Sequence, residues 1–449
     1  MKKKNKLLTL VGIAVVLCSM FLVALPGVAA EENQTTQKVS ASTITTASED
    51  DYVLGIYGNA NLDDTVDVCD LTYTERIRFE LEDSTALADA NYDTYIDMGD
   101  VLQEALIILG REKKLTIVDA EGSAKTVSKP IEKIVTLNPD CAEAIRGIGA
   151  KDRISGIEGA TAKYTKFFPE ISQLPSVGMG HTPDLEEILQ MNPDILIAYA
   201  PGIYNPGHEG LEDFLEPGVT VVRLDFYKPE TLGDEMLKLG YLLDEEENAR
   251  EYVEWHDGYV NEIEDIVSGI SEEDKPRVFI DYGGEEGSPE RLTCAKGTGN
   301  HQLCEKAGGK NIAADVTVPC VSPGYPYVSS EWILEQEPEV IIGQASGYNT
   351  REGGYETDDE SGMIAYHDEI IGLEGFENLE AVKNNRTYII QGDVAGGLTY
   401  LVGLAYHAKW FHPNLFNDLH PQEIHQEYID EFCGIDFDVT EHGVFVYYL

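Results

Sequence analysis

The chain has 449 residues, enough for two or three compact units with sizeable cores. Its 81 acidic and 32 basic residues give a formal net charge of -49 at pH 7. A surface this acidic keeps the chain soluble through self-repulsion, and it excludes nucleic acid as a partner because phosphate binding needs clustered lysine and arginine.

Residues 1–30 have the pattern of a secretory signal peptide. A lysine-rich start precedes an apolar run from Leu7 to Leu25, and small residues then lead up to Glu31. The apolar run approaches the roughly 20 residues that span a bilayer, so an uncleaved membrane anchor is the alternative. Either reading predicts export, to the extracellular face of the cell membrane or to the periplasm. Residues 31–50 are rich in Thr, Ser and Gln without a hydrophobic period, which is typical of a disordered tether.

Residues 51–112 contain an internal repeat of two acidic loops, each followed by a helical pattern. Calcium prefers six to eight oxygen ligands, and a twelve-residue loop supplies them from positions 1, 3, 5, 7, 9 and 12. Two loops with the same spacing predict up to two structural calcium ions, and two merely acidic turns are the alternative. The predicted ligands are Asn59, Asn61, Asp63, Thr65, Asp67 and Asp70 in the first loop, and Asp89, Asn91, Asp93, Tyr95, Asp97 and Asp100 in the second.

With Asp at position 12 of both loops, the segment from Tyr57 to Gly110 resembles a type I dockerin module. The resemblance implies a small all-α calcium-binding domain. Loop position 6, usually a glycine in a left-handed turn, is Asp64 in the first loop and Thr94 in the second, and the β-branched Thr resists that conformation. The positions that often contact a cohesin as Ser-Thr are Val68-Cys69 and Met98-Gly99 here. The module therefore predicts either a cell-surface protein partner or a rigid spacer.

From residue 113 onward, short β-rich runs alternate with helical ones, which predicts parallel-sheet α/β lobes. We assign residues 113–229 to a first lobe and 273–449 to a second. Between them, residues 230–272 carry apolar side chains partly at helical spacing, which predicts one long linking helix. The expected architecture is two Rossmann-like α/β lobes joined by this backbone helix.

Several short motifs occur along both lobes in the same order as in a known protein family. The first lobe has Pro130-Ile-Glu-Lys-Ile-Val135, Ala144-Ile-Arg-Gly-Ile-Gly149 and Asn192-Pro-Asp194, and the second has Ala307-Gly-Gly-Lys-Asn-Ile312 and Ala381-Val-Lys-Asn-Asn-Arg386. The chain from Leu115 to its end thus resembles the class III solute-binding proteins of ABC importers for ferric siderophores, haem or cobalamin. The resemblance implies capture of a metal chelate between the lobes and delivery to an ABC permease and its ATPase.

The loops that follow predicted strands supply the candidate ligand-binding residues, because ligands of α/β sheets bind beyond the carboxyl ends of parallel strands. Tyrosine, with 24 copies in the chain, suits a large flat ligand, although any one tyrosine can equally serve lobe packing. The first lobe contributes Asn138, Pro139, Asp140, Gly178, Met179, His181, Tyr199 and Tyr204. The second contributes Tyr282, Thr298, Asn300, Tyr325, Tyr327, Tyr348 and Asp393.

Two helix starts, Leu185-Glu-Glu and Ser330-Glu-Trp, correspond between the lobes. In corrinoid receptors of the family, one exposed glutamate on each lobe docks onto arginines of the permease. By motif position, the resemblance assigns these roles to Glu186 and Glu331. On so acidic a chain, an ordinary solvated charge is the alternative.

The sequence favours a binding protein over an enzyme. His420 and His425 are five residues apart, whereas a zinc protease needs two histidines four apart on one helical face. No phosphate-binding loop, nucleophile elbow or dinucleotide fingerprint follows a predicted strand. The competing hypothesis is a calcium-dependent surface attachment or interaction protein whose cleft does not serve transport, and an enzyme of chelate processing is the third.

Overall fold

The computed structural model describes residues 37–38, 53–201, 208–284, 290–317, 320–322, 324–346 and 353–449. The predicted signal peptide and most of the predicted tether lie outside these residues, as do Tyr204 and Tyr348 of the predicted cleft. The chain forms two compact units. The first comprises the residues up to Ile131 together with Tyr241–Asp244, and the second comprises Glu132–Gly240 and Glu245–Leu449.

The helices of the first unit each begin directly after one of the acidic loops. They are α1 (Val68–Arg78) and α2 (Met98–Ile108), with Asp67 and Asp97 as their N-caps. Both N-termini are capping boxes, in which the N-cap carboxylate accepts a backbone hydrogen bond and the carboxylate of a second aspartate, three residues on, accepts one from the N-cap backbone N–H. A buried cluster of Leu71, Val101 and Ala105 packs the two helices together.

The first unit also contains strands and extends beyond residue 112. Its strands are β1 (Gln37–Lys38), β2 (Tyr95–Ile96), β3 (Lys114–Val118) and β4 (Ala124–Ser128). The pairs β1–β2 and β3–β4 are antiparallel, and the backbone N–H of Tyr57 donates to the carbonyl of Thr116 on β3 at 3.0 Å. We had predicted an all-α module ending at residue 112. The β3–β4 hairpin, assigned from sequence to the first lobe, belongs instead to this unit.

The first lobe of the second unit is built on a four-stranded, fully parallel sheet of order β10-β9-β5-β6. The buried side chains of Val135, Leu196 and Val221 share one core cluster, as expected for strands covered on both faces. Its strands are β5 (Ile134–Thr136), β6 (Ile154–Ile157), β7 (Gly178–Met179), β8 (Thr182–Pro183), β9 (Ile195–Ala198) and β10 (Thr220–Arg223), and its helices are α3 (Pro139–Gly147), α4 (Leu185–Met191) and α5 (Leu211–Leu215).

The predicted single linking helix is wrong, because two helices occupy this region. They are α6 (Leu232–Leu243) and α7 (Glu246–Ser268). Asp244 has a left-handed backbone with φ 55°, which a continuing α-helix does not allow. Where α6 and α7 meet, a Cβ on Gly240 would lie 2.6 Å from that of Ala249, so only glycine permits this approach.

The second lobe repeats the topology of the first. Its main sheet has the order β13-β11-β16-β17-β18, parallel except for β18, and a smaller antiparallel sheet has the order β12-β15-β14. The strands are β11 (Arg277–Asp281), β12 (Glu290–Leu292), β13 (Lys310–Asn311), β14 (Cys320–Ser322), β15 (Tyr325–Ser329), β16 (Val340–Ala345), β17 (Thr387–Gln391) and β18 (Val446–Tyr447). The helices are α8 (Gly299–Lys306), α9 (Ser330–Gln336), α10 (Ser361–Ile371), α11 (Glu380–Lys383), α12 (Tyr400–Phe411) and α13 (Pro421–Tyr428).

The C-terminal segment returns to the first lobe. Helix α13 continues into a π-helix, Ile429–Cys433. From this segment the Tyr428 hydroxyl donates to the Glu143 carboxylate at 2.5 Å, and the Cys433 sulfur accepts from Arg146 at 3.1 Å, both on α3. The second lobe therefore contacts the first through buried hydrogen bonds. Within the described part of the chain, no helix is both long and apolar enough to cross a membrane.

Candidate functional site

The carboxyl ends of the central strands define the cleft. In each lobe the strand order reverses at one point, between β5 and β9 in the first lobe and between β11 and β16 in the second. Ligands of doubly wound sheets bind beyond the strand ends at such a switch point. Asn138 and Asp140 follow β5, Tyr199 follows β9 and Tyr282 follows β11. The predicted candidates thus stand where the topology places a ligand.

On the first lobe, Asp140 and Tyr199 form a buried pair. Asn138 is the extended N-cap of α3, and Pro139, at its first position, needs no backbone donor there, so the helix starts sharply and carries Asp140 beyond the sheet. The Tyr199 hydroxyl donates to the Asp140 carboxylate, and the Tyr199 ring packs edge-on against Tyr227 with centroids 4.8 Å apart. Burial raises the pKa of Asp140, and the Tyr199 hydrogen bond opposes part of that rise.

On the second lobe, an amide network holds two tyrosines. The rings of Tyr282 and Tyr325 meet edge to face with centroids 5.3 Å apart. Asn300 donates to the Tyr282 hydroxyl at 2.5 Å and accepts from Gln344 at 3.2 Å. Thr298 caps α8 by accepting from the backbone of the third residue on. These contacts fix an aromatic wall facing the cleft.

Two cavities between the lobes receive side chains from both of them. The first, which we name the tyrosine cavity, has a volume of about 320 Å³. It is lined by Tyr199, Tyr227 and Lys228 of the first lobe and by Thr298, Gln302 and Tyr325 of the second, among others. The Lys228 ammonium is paired with Asp225 at 2.7 Å, so its charge is already compensated.

The second cavity, which we name the carboxylate cavity, has a volume of about 260 Å³. It is lined by Asp140, Glu143 and Tyr164 of the first lobe and by Tyr355, Asp393 and Gly397 of the second, among others. A Cβ on Gly397, which has a φ of 60°, would lie 3.3 Å from Cγ of Asp140. Glycine at this position therefore lets the second lobe close directly onto the Asp140 carboxylate.

Acidic side chains dominate the electrostatics of the carboxylate cavity. Burial, with a further contribution from Asp140, raises the pKa of Asp393 to about 7. Burial also raises the pKa of Glu143 to about 7, although Arg146 opposes that rise. The Tyr164 hydroxyl donates to Asp393 over a long 3.5 Å. The three carboxyl groups are therefore easier to protonate than exposed ones.

A larger cavity of about 680 Å³ lies beside the carboxylate cavity and shares Phe168 with it. It contains none of the predicted site residues. Two of its lysines are paired with carboxylates, Lys151 with Glu170 at 2.5 Å and Lys166 with Asp358 at 3.7 Å. We therefore assign no ligand to it.

The predicted cleft residues divide into two groups. Those that line one of the two interlobe cavities are Pro139, Asp140, Tyr199, Thr298, Tyr325 and Asp393. Those that line neither are Asn138, Gly178, Met179, His181, Tyr282, Asn300 and Tyr327. Of the latter, Tyr282 and Asn300 support Tyr325 from behind, whereas His181 is exposed in the turn between β7 and β8.

Sequence reasoning missed several cavity residues. Glu143 stands three positions after Asp140 on the same helix, and that spacing was a usable signal because such residues share a helical face. Tyr164 and Tyr355 lie in irregular segments without a periodic pattern. Gly397 shows its role only through the contact with Asp140.

Glu186 and Glu331 occupy the same position on equivalent helices. Each is the second residue of a seven-residue helix, α4 or α9, and each is exposed. The N-cap side chains, Asp184 and Ser329, accept backbone hydrogen bonds at 3.0 and 3.2 Å. The two glutamates are thus presented on matched rigid supports, one on each lobe.

The acidic loops of the first unit share one hydrogen-bond pattern. In both, the backbone N–H at position 5 (Asp63, Asp93) donates to the side-chain oxygens at positions 1 and 3. The carboxylate at position 12 (Asp70, Asp100) accepts from the backbone at positions 3 and 9. Burial raises the pKa of both position-12 carboxyls to about 7. The repeat found in the sequence is therefore a repeat in three dimensions.

The loops differ at position 6. Thr94 has a left-handed backbone with φ 79°, whereas Asp64 at the same position of the first loop is absent from the left-handed residues of the described chain. Such a conformation costs a β-branched residue about 1 to 3 kcal/mol. No group of three or more His, Cys, Asp or Glu side chains in the described residues is arranged to hold a metal ion. A calcium site here has to draw on the amide, hydroxyl and carbonyl oxygens of the loops as well.

Comparison with known sequences places the matching region across both lobes. The family model described as periplasmic binding protein matches residues 134–394, more than half of the chain. The vitamin B12-binding protein of Salmonella typhimurium is 25% identical over 210 residues, which cover 47% of this chain and 71% of that protein. The protein of the same name from Vibrio cholerae is 26% identical over 213 residues, covering 47% and 70%.

Comparison with solved structures concerns the fold alone. The TroA-like periplasmic binding protein FepB from Veillonella parvula superposes with a TM-score of 0.61 at 22% identity, covering 74% of this chain and 99% of that one. The molybdate periplasmic binding protein MolA from Haemophilus influenzae gives a TM-score of 0.56 at 18% identity, covering 72% and 98%.

Proposed function

Because the chain belongs to the periplasmic binding protein family, we propose that it captures a metal chelate between its two lobes and delivers it to an ABC permease. The chain is an exported solute-binding protein and not an enzyme. The observation that carries the chelate proposal is the pair of interlobe cavities at the strand ends, about 320 and 260 Å³ in volume. Aromatic walls around the first of them suit a flat macrocycle or an aromatic chelate.

Among the chelates, similarity to vitamin B12-binding proteins gives corrinoids the first place in the test, ahead of haem and ferric siderophores. The experiment is native mass spectrometry of the exported chain, first without added ligand and then with cobalamin, haem and a ferric siderophore. A bound chelate with micromolar affinity or better, a binding free energy of about 8 kcal/mol, supports the proposal. Binding of none of the three classes at these concentrations would refute it.

Delivery to the permease would use Glu186 and Glu331. Their support is positional, because both are exposed at the same place on matched helices of the two lobes. Two carboxylates held apart on rigid elements are suited to pair with arginines on a partner surface. The ATPase would then act through the permease and not on this chain directly.

We also propose that the two acidic loops each hold a calcium ion and that the first unit is a dockerin-like module. The support is the set of hydrogen bonds that the loops share, with Asp70 and Asp100 fully buried. Glu104, also fully buried, has one carboxylate oxygen without a hydrogen-bond partner in the described structure. Buried acids without a compensating cation are costly, and bound calcium would remove that cost.

The competing role for this unit is calcium-dependent attachment to a cell-surface partner. A pull-down from envelope extract, in calcium and in chelator, distinguishes attachment to such a partner from a purely structural role of the unit. Capture of one partner that is lost on changing Asp63 and Asp93 to Ala would favour attachment. Retention at the membrane after signal cleavage would likewise require such a partner, whereas an uncleaved residue 1–30 segment would anchor the chain itself.

A further inference from the structure

The carboxylate cavity has an unbalanced charge. Asp140 and Glu143 reach it from the first lobe and Asp393 reaches it from the second, and no lysine, arginine or histidine among the residues that the structure describes lines it. Two further acids stand nearby but are already engaged with backbone donors. Glu158 accepts from Ala160 at 2.6 Å, and Glu356 accepts from Lys166 at 2.8 Å.

Glu143 lines the carboxylate cavity from a buried position. The residue is only 8% exposed, yet it lines the cavity. Its Oε1 accepts from the Tyr428 hydroxyl at 2.5 Å. A buried carboxyl group that lines a cavity favours a ligand group that donates a hydrogen bond or carries positive charge.

The arginine on the same helix as Asp140 and Glu143 does not line the cavity. Arg146, three residues after Glu143 on α3, donates to the carbonyl of Phe167 and to the Cys433 sulfur at 3.1 Å. Its guanidinium also stacks over the Phe167 and Phe168 rings, with Cζ 4.2 and 4.6 Å from the centroids. Arg146 is therefore held by structural contacts outside the cavity, and it offsets part of the charge of Glu143 alone.

We propose that this cavity makes the protein selective by charge: it favours chelates that present an ammonium or amide donor to it and rejects chelates that present a carboxylate. The inference rests on the proposed function, since it names which chelates the cleft accepts. A ligand carboxylate placed among three protein carboxyls meets repulsion in a poorly solvated space, where charges interact more strongly than in water. A ligand cation there gains the opposite interaction.

Binding of a cation should also release protons. Asp393 and Glu143 have pKa values raised to about 7 in the closed cleft, so both are partly protonated at neutral pH. A cationic group placed against them lowers those values and displaces protons to the solvent. Affinity for a cationic ligand therefore rises between about pH 5 and pH 8, and affinity for a matched neutral ligand does not.

The test uses ligand pairs that differ in charge at one group. They are ferrioxamine B with its free ammonium and its N-acetylated form, cobinamide and cobyric acid, and haem dimethyl ester and haem. In whichever class binds, we expect the less anionic member to bind tighter by on the order of tenfold, about 1.4 kcal/mol. Calorimetry in two buffers of different ionisation enthalpy should show proton release on binding of ferrioxamine B with its ammonium and none on binding of its N-acetylated form.

Variants of the cavity carboxyls test whether these groups cause the preference for the less anionic ligand. Asp393→Asn and Glu143→Gln keep side-chain size and should each reduce the preference, whereas Asp152→Asn, an exposed carboxylate outside all three cavities, should leave it unchanged. Equal or tighter binding of the more anionic member would overturn the inference while leaving the proposed function intact. Binding by no pair would overturn both.

Discussion

The Tyr428 hydroxyl and the Glu143 carboxylate form a 2.5 Å hydrogen bond that joins the two lobes across 285 positions of sequence. Tyr428 is fully buried, and its ring stacks on Trp255 of the linking helix α7 with centroids 6.0 Å apart. The bond lies beside the carboxylate cavity, because Glu143 lines that cavity with the rest of its side chain. The C-terminal segment thus links the two lobes beside this cavity.

We expect Tyr428→Phe to lower the free energy of unfolding of the second unit by about 1 to 2 kcal/mol, because it leaves a buried carboxylate oxygen unpaired. Urea unfolding followed by tryptophan fluorescence measures this unit alone, since all 3 tryptophans, Trp255, Trp332 and Trp410, lie within it. The matched control is Tyr259→Phe, which removes a partly exposed 2.8 Å bond to Glu427. A loss as large in the control as in Tyr428→Phe would argue against a special role for the interlobe bond.

The stability of the second unit should depend on pH through Asp393. Its pKa is raised by burial from an ordinary 3.8 to about 7, so below about pH 4 both folded and unfolded forms are protonated and the native state keeps its full stability. Between pH 4 and 7 the unfolded chain ionises first, and stability falls. Asp393→Asn removes that loss, so its stability relative to the natural chain should rise over this range, by on the order of 4 kcal/mol for the full shift.

The check is tryptophan-detected urea unfolding of both proteins at pH 4, 5.5 and 7.5. Asp152→Asn serves as the control, because this carboxylate is exposed. Titration of the remaining acids cancels in each difference. A difference between Asp393→Asn and the natural chain that stays flat with pH would show that Asp393 titrates normally.

The α/β fold was predictable because parallel strands covered on both faces leave continuous apolar runs in the sequence. The runs around Ile134 and Ile195 each predict a strand, and in the structure these two strands pair in parallel. The interruption of the linking helix at Asp244 was not predictable. An aspartate can adopt either a left-handed or a helical backbone, and the residues around Asp244 do not indicate which one it adopts. Local pattern identifies elements more reliably than their ends.

Only those site residues that directly follow a predicted strand could be predicted from the sequence. Asp140, Tyr199 and Asp393 follow predicted strands and line the cavities. Tyr164 and Tyr355 come from irregular segments, and long-range packing alone brings them there. The return of the C-terminal segment to α3 depends on contacts between residues far apart in sequence, which no local period records.

For the first unit, we expect Thr94→Gly to stabilise the calcium-loaded form by about 1 kcal/mol, because glycine adopts a positive φ without the strain of a β-branched side chain. Asp64→Gly is the matched control at the same loop position, and it should give no gain, since Asp64 does not have that conformation. Calcium titration followed by calorimetry measures both. A gain in the control equal to that in Thr94→Gly would remove the conformational explanation.

The last prediction separates ligand capture from delivery. Glu186→Arg and Glu331→Arg reverse two exposed charges that stand outside both interlobe cavities, so chelate affinity should stay within about twofold, roughly 0.4 kcal/mol, of the natural chain. Uptake by cells or by vesicles carrying the permease should nevertheless fall by at least about tenfold in the double variant, because each reversed charge would face an arginine of the partner. Asp152→Arg, one charge reversal on the first lobe, controls for the change in net charge of each single variant, and each single variant should itself lower uptake. Uptake that falls equally in the control would assign the effect to general electrostatics, whereas a loss confined to the two glutamates would make them the contact through which both lobes are held on the permease.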